Sequence, residues 1–203
     1  METSTSRNFL ILLAILTIMS KFTQILAIQR TTTTTTIYTD FLKTSCKTTT
    51  YPDLCYNSLL THTSDIQTSP QLLANAALSV TLDMARTTYA SISTLSKGLG
   101  VRPREAGPMR DCLEVLDDTI DQLRNSIIEM GELKDCKNFR MLISDVQTWV
   151  SAALTNEGTC MDGFGGKYMN GSLKTKIRSK IMVICHLTSN SLALINSFAT
   201  LHG

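Results

Sequence analysis

The chain has few of the residues, and none of the short motifs, that most enzymes use. It contains only three histidines, and aromatic residues make up 6% of the sequence. No G-x-S-x-G elbow, no H-E-x-x-H zinc motif and no glycine-rich phosphate loop occurs anywhere. No histidine has a recognisable catalytic partner. An enzyme is therefore the least favoured class of protein, and we predict no cofactor.

Metal and nucleic-acid binding are equally poorly supported. No two cysteines stand in C-x-x-C spacing, and no histidine lies at zinc-finger distance from a cysteine. Removing residues 1–27 takes away Glu2, Arg7 and Lys21, so 17 basic residues remain against 16 acidic ones. A net charge this small gives no bulk attraction for nucleic acid. We predict that the chain binds neither a metal ion nor nucleic acid.

The N-terminal segment has the pattern of a secretory signal. Arg7 gives a positive start, residues 9–19 are apolar, and Ala27 is a suitable residue before a cleavage point. The apolar stretch is short for a membrane span and ends at Lys21. We predict a signal peptide over 1–27, secretion, no second stretch long enough to span a bilayer, and no membrane contact after cleavage.

A short helical hairpin is predicted next. Residues 31–36 are all threonine and lack core-forming side chains, which predicts a disordered tail over 28–36. Apolar residues then recur at helical spacing on both sides of Pro52, where proline disfavours a continuous helix. We expect two short helices over 37–66, with Cys46 and Cys55 on either side of the bend.

Four longer segments with apolar residues every three or four positions follow. The first begins at Ser69-Pro70, an N-cap serine before a proline at the first helical position. Glycine and proline residues mark the other predicted helix boundaries. Gly98 and Pro103 follow the first helix, Pro108 precedes the second and Gly131 follows it, and Gly158 lies near the end of the third. Strand signals are nearly absent. The pattern predicts an all-α, antiparallel up-down four-helix bundle over 69–201, within one domain over 37–203.

Two surface features stand out on these helices. Glu114, Asp118 and Asp121 recur at i, i+4 and i+7, opposite the apolar stripe of the second long helix. Taken alone, such a stripe is most simply a solvated face. Asn170 begins the only N-x-S/T sequon of the chain, in the polar loop before the last helix, and is a candidate for glycosylation.

The sequence resembles the plant invertase and pectin methylesterase inhibitor family, secreted helical proteins that block the active site of another protein. The resemblance covers about residues 37–201. Its most specific parts are the Cys46…Cys55 bracket, the acidic helix that begins around Cys112, and the run Thr148-Trp149-Val150-Ser151-Ala152-Ala153-Leu154-Thr155 leading to Cys160.

The six cysteines of a secreted chain indicate disulfides, and fifteen complete pairings are open from sequence alone. Antiparallel neighbours bring Cys112 and Cys160 to the same end of the bundle, and the resemblance implies the Cys46–Cys55 and Cys112–Cys160 pairs. Cys185 resembles a family cysteine that is often unpaired. Cys136 departs from the family pattern, so it is free or pairs with Cys185.

The resemblance also implies a partner: pectin methylesterase, bound over its substrate cleft. Glu114, Asp118 and Asp121 occupy positions where family members carry acidic contact residues, and Thr159 is expected to join them. Invertase inhibitors often carry a Pro-Lys-Phe element that loop 131–139 lacks, which favours the esterase. The expected location is the apoplast and cell wall. Acid invertase is the alternative target, and a secreted helical ligand-binding or signalling protein is the second alternative.

Overall fold

The computed structural model describes residues 34–98, 101–133, 138–166 and 171–202, together with the isolated positions 16, 19 and 21. Apart from those three positions, the predicted signal peptide lies outside the described residues, as do Cys136 and Asn170. The described ranges are helical and contain no strand. The predicted all-α fold is confirmed.

A helical hairpin opens the described chain. Helix α1 covers 34–46, α2 covers Pro52–Leu59, a 3-10 turn covers Leu60–His62 and the short α3 covers Thr63–Ile66. The Cys46–Cys55 disulfide joins α1 to α2, with the two Cα atoms 5.6 Å apart. Pro52 is the first residue of α2, so the bend lies where the proline predicts it.

The described part of α1 includes residues 34–36, so these three residues of the expected tail are helical. The Thr39 hydroxyl donates to the Thr35 carbonyl oxygen at 2.8 Å. A threonine inside a helix can satisfy its hydroxyl in this way. Threonines can therefore extend the helix without a buried face.

Four long helices form the bundle: α4 over Pro70–Ser96, α5 over Pro103–Glu132, α6 over Phe139–Gly163 and α7 over Ser172–His202. Helices α5 and α7 each pack on both α4 and α6, so the four helices form a square with α5 and α7 at opposite corners. The side chains of Leu78, Leu116, Val150 and Ile181 are fully buried at the centre. The hairpin packs on α4 and α7 through a second apolar cluster that includes Leu42, Leu59, Ile66, Leu73 and Leu194.

The predicted start of α5 is wrong. The helix begins at Pro103, because the Glu105 side chain accepts a hydrogen bond from the Arg102 backbone N–H at 2.9 Å and stabilises the first turn. Pro108 therefore lies inside the helix. Gly107 precedes it and has no Cβ to clash with the proline ring, which makes the helical conformation accessible there.

Helix α5 ends at Glu132, one residue after the glycine predicted to stop it. Gly158, in contrast, lies inside α6. An interior glycine costs about 1 kcal/mol relative to alanine, which the packing of a long apolar face outweighs. Helix α6 consequently reaches Gly163 and includes Cys160.

Apolar residues at three- and four-residue spacing predict a buried stripe on α6 of Phe139, Leu142, Val146, Trp149 and Ala153, and the observed stripe is rotated from this one. Its core positions are Ile143, Val146, Val150 and Ala153, whereas Trp149 is only half-buried. The sequence contains apolar residues on two adjacent faces of this helix, and the pattern alone does not decide between them. The rotation leaves the hydroxyl-bearing positions of the helix exposed.

The sequence analysis predicts no second stretch long enough to span a bilayer, and helix α7 contradicts this prediction. Its stretch Ser172–Leu201 passes that test by length and composition. Half of the tested stretch is buried inside the bundle, where it packs between α4 and α6. Packing in the core accounts for the apolar character of this helix.

Candidate functional site

The acidic stripe of α5 lies on the surface. Glu114, Asp118 and Asp121 are exposed, while Leu116 and Leu123 on the other side of the helix are fully buried. The Asp121 carboxylate forms an ion pair with Arg124 one turn later. Two further exposed carboxylates, those of Asp111 and Asp117, extend the acidic surface. Neither residue was among the predicted site residues, because the prediction took only the carboxylates at i, i+4 and i+7.

Hydroxyl groups follow one another along the exposed side of α6. Thr148, Ser151, Thr155 and Thr159 are all exposed. Each hydroxyl donates to the carbonyl oxygen four residues earlier, at 2.7 to 3.0 Å. Because its proton is used within the helix, each hydroxyl oxygen faces solvent as a hydrogen-bond acceptor. Only Thr159 was predicted as a site residue, although the three- and four-residue spacing of the others is visible in the sequence.

Helices α5 and α6 are held together at this surface by covalent and polar contacts. The Cys112–Cys160 disulfide brings the two Cα atoms to 4.4 Å. The Asn156 side chain donates to the Gln122 side chain at 3.3 Å. Thr159, next to Cys160, therefore lies at the same end of the helix pair as Glu114, two residues after Cys112. Both disulfides that were predicted are present.

We call this surface the α5–α6 face; it comprises Glu114, Asp118 and Asp121 of α5 and Thr148, Ser151, Thr155 and Thr159 of α6. Its charge is strongly negative on the α5 side, because the segment Pro103–Glu132 contains eight acidic and three basic residues. Like charges stacked at helical spacing repel one another by roughly a few tenths of a kcal/mol per pair. A positively charged partner surface would relieve that repulsion.

Comparison with known protein families identifies the family of this chain. The family model described as plant invertase/pectin methylesterase inhibitor matches residues 40–194. The chain belongs to this family. The matched range contains the hairpin disulfide, the α5–α6 face and most of α7.

Curated relatives within this inhibitor family agree over most of their length. Pectinesterase inhibitor 11 of Arabidopsis thaliana is 44% identical over 163 residues, which cover 79% of this chain and 81% of that protein. A 21 kDa protein of Daucus carota is 43% identical over 164 residues, covering 80% and 85%. A crystal structure of a mutant pectin methylesterase inhibitor from Arabidopsis has the same fold, with a TM-score of 0.60 at 23% identity, covering 74% of this chain and 92% of that one.

Beneath the hydroxyl stripe, α6 carries a carboxyl group that the sequence did not single out. Glu157 is fully buried, and its Oε1 accepts a hydrogen bond from the Thr188 hydroxyl of α7 at 2.6 Å. Its Oε2 has no hydrogen-bond partner among the described residues. Burial raises the pKa of Glu157 to about 8, and the hydrogen bond from Thr188 opposes this rise only in part. The group is therefore protonated in the folded inhibitor at neutral pH.

Cys185 lies next to this carboxyl group on α7. Its thiol is buried and free among the described residues, and burial with the nearby Glu157 raises its pKa to about 12. The pairing of Cys185 with Cys136 stays a prediction, because Cys136 lies outside the described residues. Cys185 is thus a protonated, inert thiol in the core rather than a nucleophile.

The described residues offer no metal centre. Across the described ranges, no group of three or more His, Cys, Asp or Glu side chains is close enough to hold an ion. His186 instead stacks on Tyr51 with ring centroids 3.7 Å apart and joins α7 to the hairpin. The candidate site is the α5–α6 face, an exposed surface of carboxylates and hydroxyl groups.

Proposed function

We propose that this chain inhibits pectin methylesterase by laying the α5–α6 face over the substrate cleft of the enzyme. The curated relatives support this target, because several are named pectinesterase inhibitors. The observation that carries the proposal is the exposure of Glu114, Asp118 and Asp121 beside a row of hydroxyl acceptors. An enzyme that binds a polyanion such as pectin presents basic groups around its cleft, and carboxylates can engage them.

Rigidity makes this face suitable for inhibition. The Cys112–Cys160 bridge and the Asn156–Gln122 hydrogen bond hold α5 and α6 in one relative position. A surface that is already ordered loses little conformational entropy when it binds. The contact residues also lie outside the core, so the bundle keeps its packing in the complex.

Secretion to the apoplast and cell wall belongs to the same proposal. The N-terminal pattern predicts a signal peptide. Two disulfides are typical of proteins that mature in an oxidising compartment. Pectin and its esterases occur in the wall, so inhibitor and target share that compartment.

A charge-removal variant tests the face. We expect E114Q/D118N/D121N to weaken inhibition of pectin methylesterase about tenfold at low ionic strength, from three contacts of roughly 0.5 kcal/mol each. The salt dependence of inhibition should flatten, because exposed charge pairs are screened by salt. Thermal unfolding should change little, since surface substitutions usually stay within about 0.5 kcal/mol.

The variant D40N/D65N/D83N is the matched control, because it removes three exposed carboxylates from α1, α3 and α4. We expect it to inhibit as the parent does. Equal inhibition by the parent and E114Q/D118N/D121N at every ionic strength would show that the acidic stripe is only solvated.

A further inference from the structure

The charges of the bundle are separated between two helices. Helix α7 has four basic residues in its first turns, Lys174, Lys176, Arg178 and Lys180, and no acidic residue over Ser172–His202. Helix α5 has a net charge of −5 from eight acidic and three basic residues. Because α4 and α6 lie between these two helices, the acidic and the basic surface are on opposite corners of the molecule.

The position of the basic residues is unfavourable for the helix itself. The N-terminal end of a helix carries a partial positive charge, so cations there cost stability where anions would add it. None of the four cations forms an ion pair with another described residue within 4.0 Å. A sequence that contradicts local preference in this way usually does so for a functional reason.

Two of these cations line a groove. Lys174 and Arg178 lie one helical turn apart, about 6 Å along the axis, with Thr175 and Ser179 beside them. Arg178 donates through Nη1 to the Met161 carbonyl oxygen of α6 at 3.3 Å, which orients its guanidinium and leaves its other N–H groups available. The groove has a volume of about 480 Å³.

A second guanidinium lies beside Gly171, which lines the groove. A Cβ on Gly171 would lie 2.9 Å from Arg102 Nη2, so the glycine lets this arginine approach. Arg102 is paired with Glu105 at 2.8 Å. Asp162 is exposed at the end of α6 and forms no ion pair with the described part of α7.

The hydroxyl groups of the groove are oriented as acceptors. Thr175 Oγ1 donates to the Gly171 carbonyl oxygen at 3.4 Å, and Ser179 Oγ donates to the Lys176 carbonyl oxygen at 3.0 Å. Their oxygens can therefore accept hydrogen bonds from a ligand. Met182, 41% exposed, adds an apolar surface at the far end. Such a groove suits a ligand that carries carboxylates, hydroxyl donors and apolar ring faces at a regular repeat.

We propose that this groove binds an anionic polysaccharide, with uronate carboxylates on Lys174 and Arg178 and sugar hydroxyls on Thr175 and Ser179. The choice of ligand rests on the proposed function, because de-esterification of pectin leaves free carboxylates along a sugar chain. The groove residues belong to α7 and the carboxylates of the α5–α6 face belong to α5, so different side chains contact the polysaccharide and the esterase. The groove would concentrate the inhibitor where de-esterification has already occurred.

Binding is tested with the mature, disulfide-bonded chain and no esterase. The probes are de-esterified polygalacturonate and highly methyl-esterified pectin of matched length, followed by affinity electrophoresis and calorimetry. We expect polygalacturonate to bind at low ionic strength and esterified pectin to bind at least about tenfold more weakly, as charge-assisted contacts require. No binding of polygalacturonate at low ionic strength would overturn the proposal.

Charge-matched variants locate the site. K174Q/R178Q should weaken polygalacturonate binding at least about tenfold, through loss of two charge-assisted contacts. K176Q/K180Q removes the same charge from the same helix outside the groove and should change binding less than about threefold. Arg178 also bonds Met161, so K174Q alone is measured beside them, with thermal unfolding as the check on folding. Equal weakening by the two double variants would contradict a site in the groove.

Two further outcomes separate this proposal from others. Tighter binding to phosphatidylserine vesicles than to polygalacturonate would assign the basic corner to a membrane surface instead. K174Q/R178Q should still inhibit pectin methylesterase as the parent does, because the α5–α6 face is untouched. If K174Q/R178Q loses polysaccharide binding and still inhibits fully, the result supports two separate sites. If the parent protein itself fails to inhibit, the proposed function is refuted, and the binding result is judged on its own.

Discussion

At the scale of single residues, the buried carboxyl of Glu157 links the stability of the bundle to pH. Its pKa is raised from 4.5 to about 8 in the folded state by burial. Between these two values the folded chain keeps a proton that the unfolded chain has released. The free energy of unfolding therefore falls as pH rises through this range, by up to about 1.4 kcal/mol per pH unit, and the dependence levels off on either side.

Glu157→Gln should remove this contribution. The glutamine side-chain oxygen can still accept a hydrogen bond from Thr188, but the side chain does not ionise. The melting temperature of the variant should therefore fall less between about pH 5 and pH 8 than that of the parent, because these two pH values are close to the limits of the range in which the Glu157 proton affects stability. Glu132→Gln, an exposed carboxyl at the end of α5, is the control and should behave as the parent. Identical pH profiles for the parent and Glu157→Gln would refute the linkage.

Sequence reasoning could find the exposed residues of the site but not the buried one. Glu114, Asp118 and Asp121 follow from helical periodicity, because a face opposite an apolar stripe points to solvent. Glu157 stands between Asn156 and Gly158, which resembles a polar helix end. Its burial depends on α6 continuing to Gly163 and on Thr188 lying opposite it on α7, and neither is a local property.

At the scale of helices, the relative position of α5 and α6 depends on the Cys112–Cys160 bridge. The bridge closes a loop with a sequence separation of 48 residues, and the chain-entropy estimate for such a loop is about 4 kcal/mol. The hairpin bridge, with a separation of 9, is worth about 2.7 kcal/mol by the same estimate. The two bridges therefore differ in energy and in distance from the α5–α6 face.

Removing each bridge separates these effects. C112A/C160A should lower the free energy of unfolding by about 4 kcal/mol and weaken inhibition, because the two helices carrying the face are no longer tied. C46A/C55A should lower stability by a smaller amount, about 2.7 kcal/mol, and inhibit as the parent does at temperatures where it stays folded. Chemical denaturation and inhibition assays measure both quantities. If both variants lost inhibition equally, the bridge in the face would have no specific role.

The number, order and type of the long helices could be predicted, but only some of their ends. Apolar residues at three- and four-residue spacing indicate helix type reliably over such lengths. Ser69 caps α4 and Pro70 begins it, as predicted. Other end signals were overridden by context: Pro108 is tolerated because Gly107 precedes it, and Gly158 is carried by the packing of the long helix that contains it. The Arg102–Glu105 contact that begins α5 links two residues at the start of the helix, and an arginine is not a usual N-cap.

At the scale of the whole molecule, the chain is a rigid bundle with two differently charged corners. Its core and two disulfides maintain the shape. The acidic corner and the hydroxyl row form the face proposed for the esterase, and the basic residues of α7 form a second surface. Membership of the family is consistent with either of its two named targets. The relatives named as pectinesterase inhibitors favour the esterase.

A parallel titration tests that choice most directly. Purified mature protein is added in increasing amounts to a plant pectin methylesterase and, in a separate series, to a plant acid invertase, and the residual activities are recorded. We expect esterase activity to fall as the inhibitor approaches equimolar amounts and invertase activity to stay unchanged. Inhibition of the invertase with no effect on the esterase would contradict this expectation.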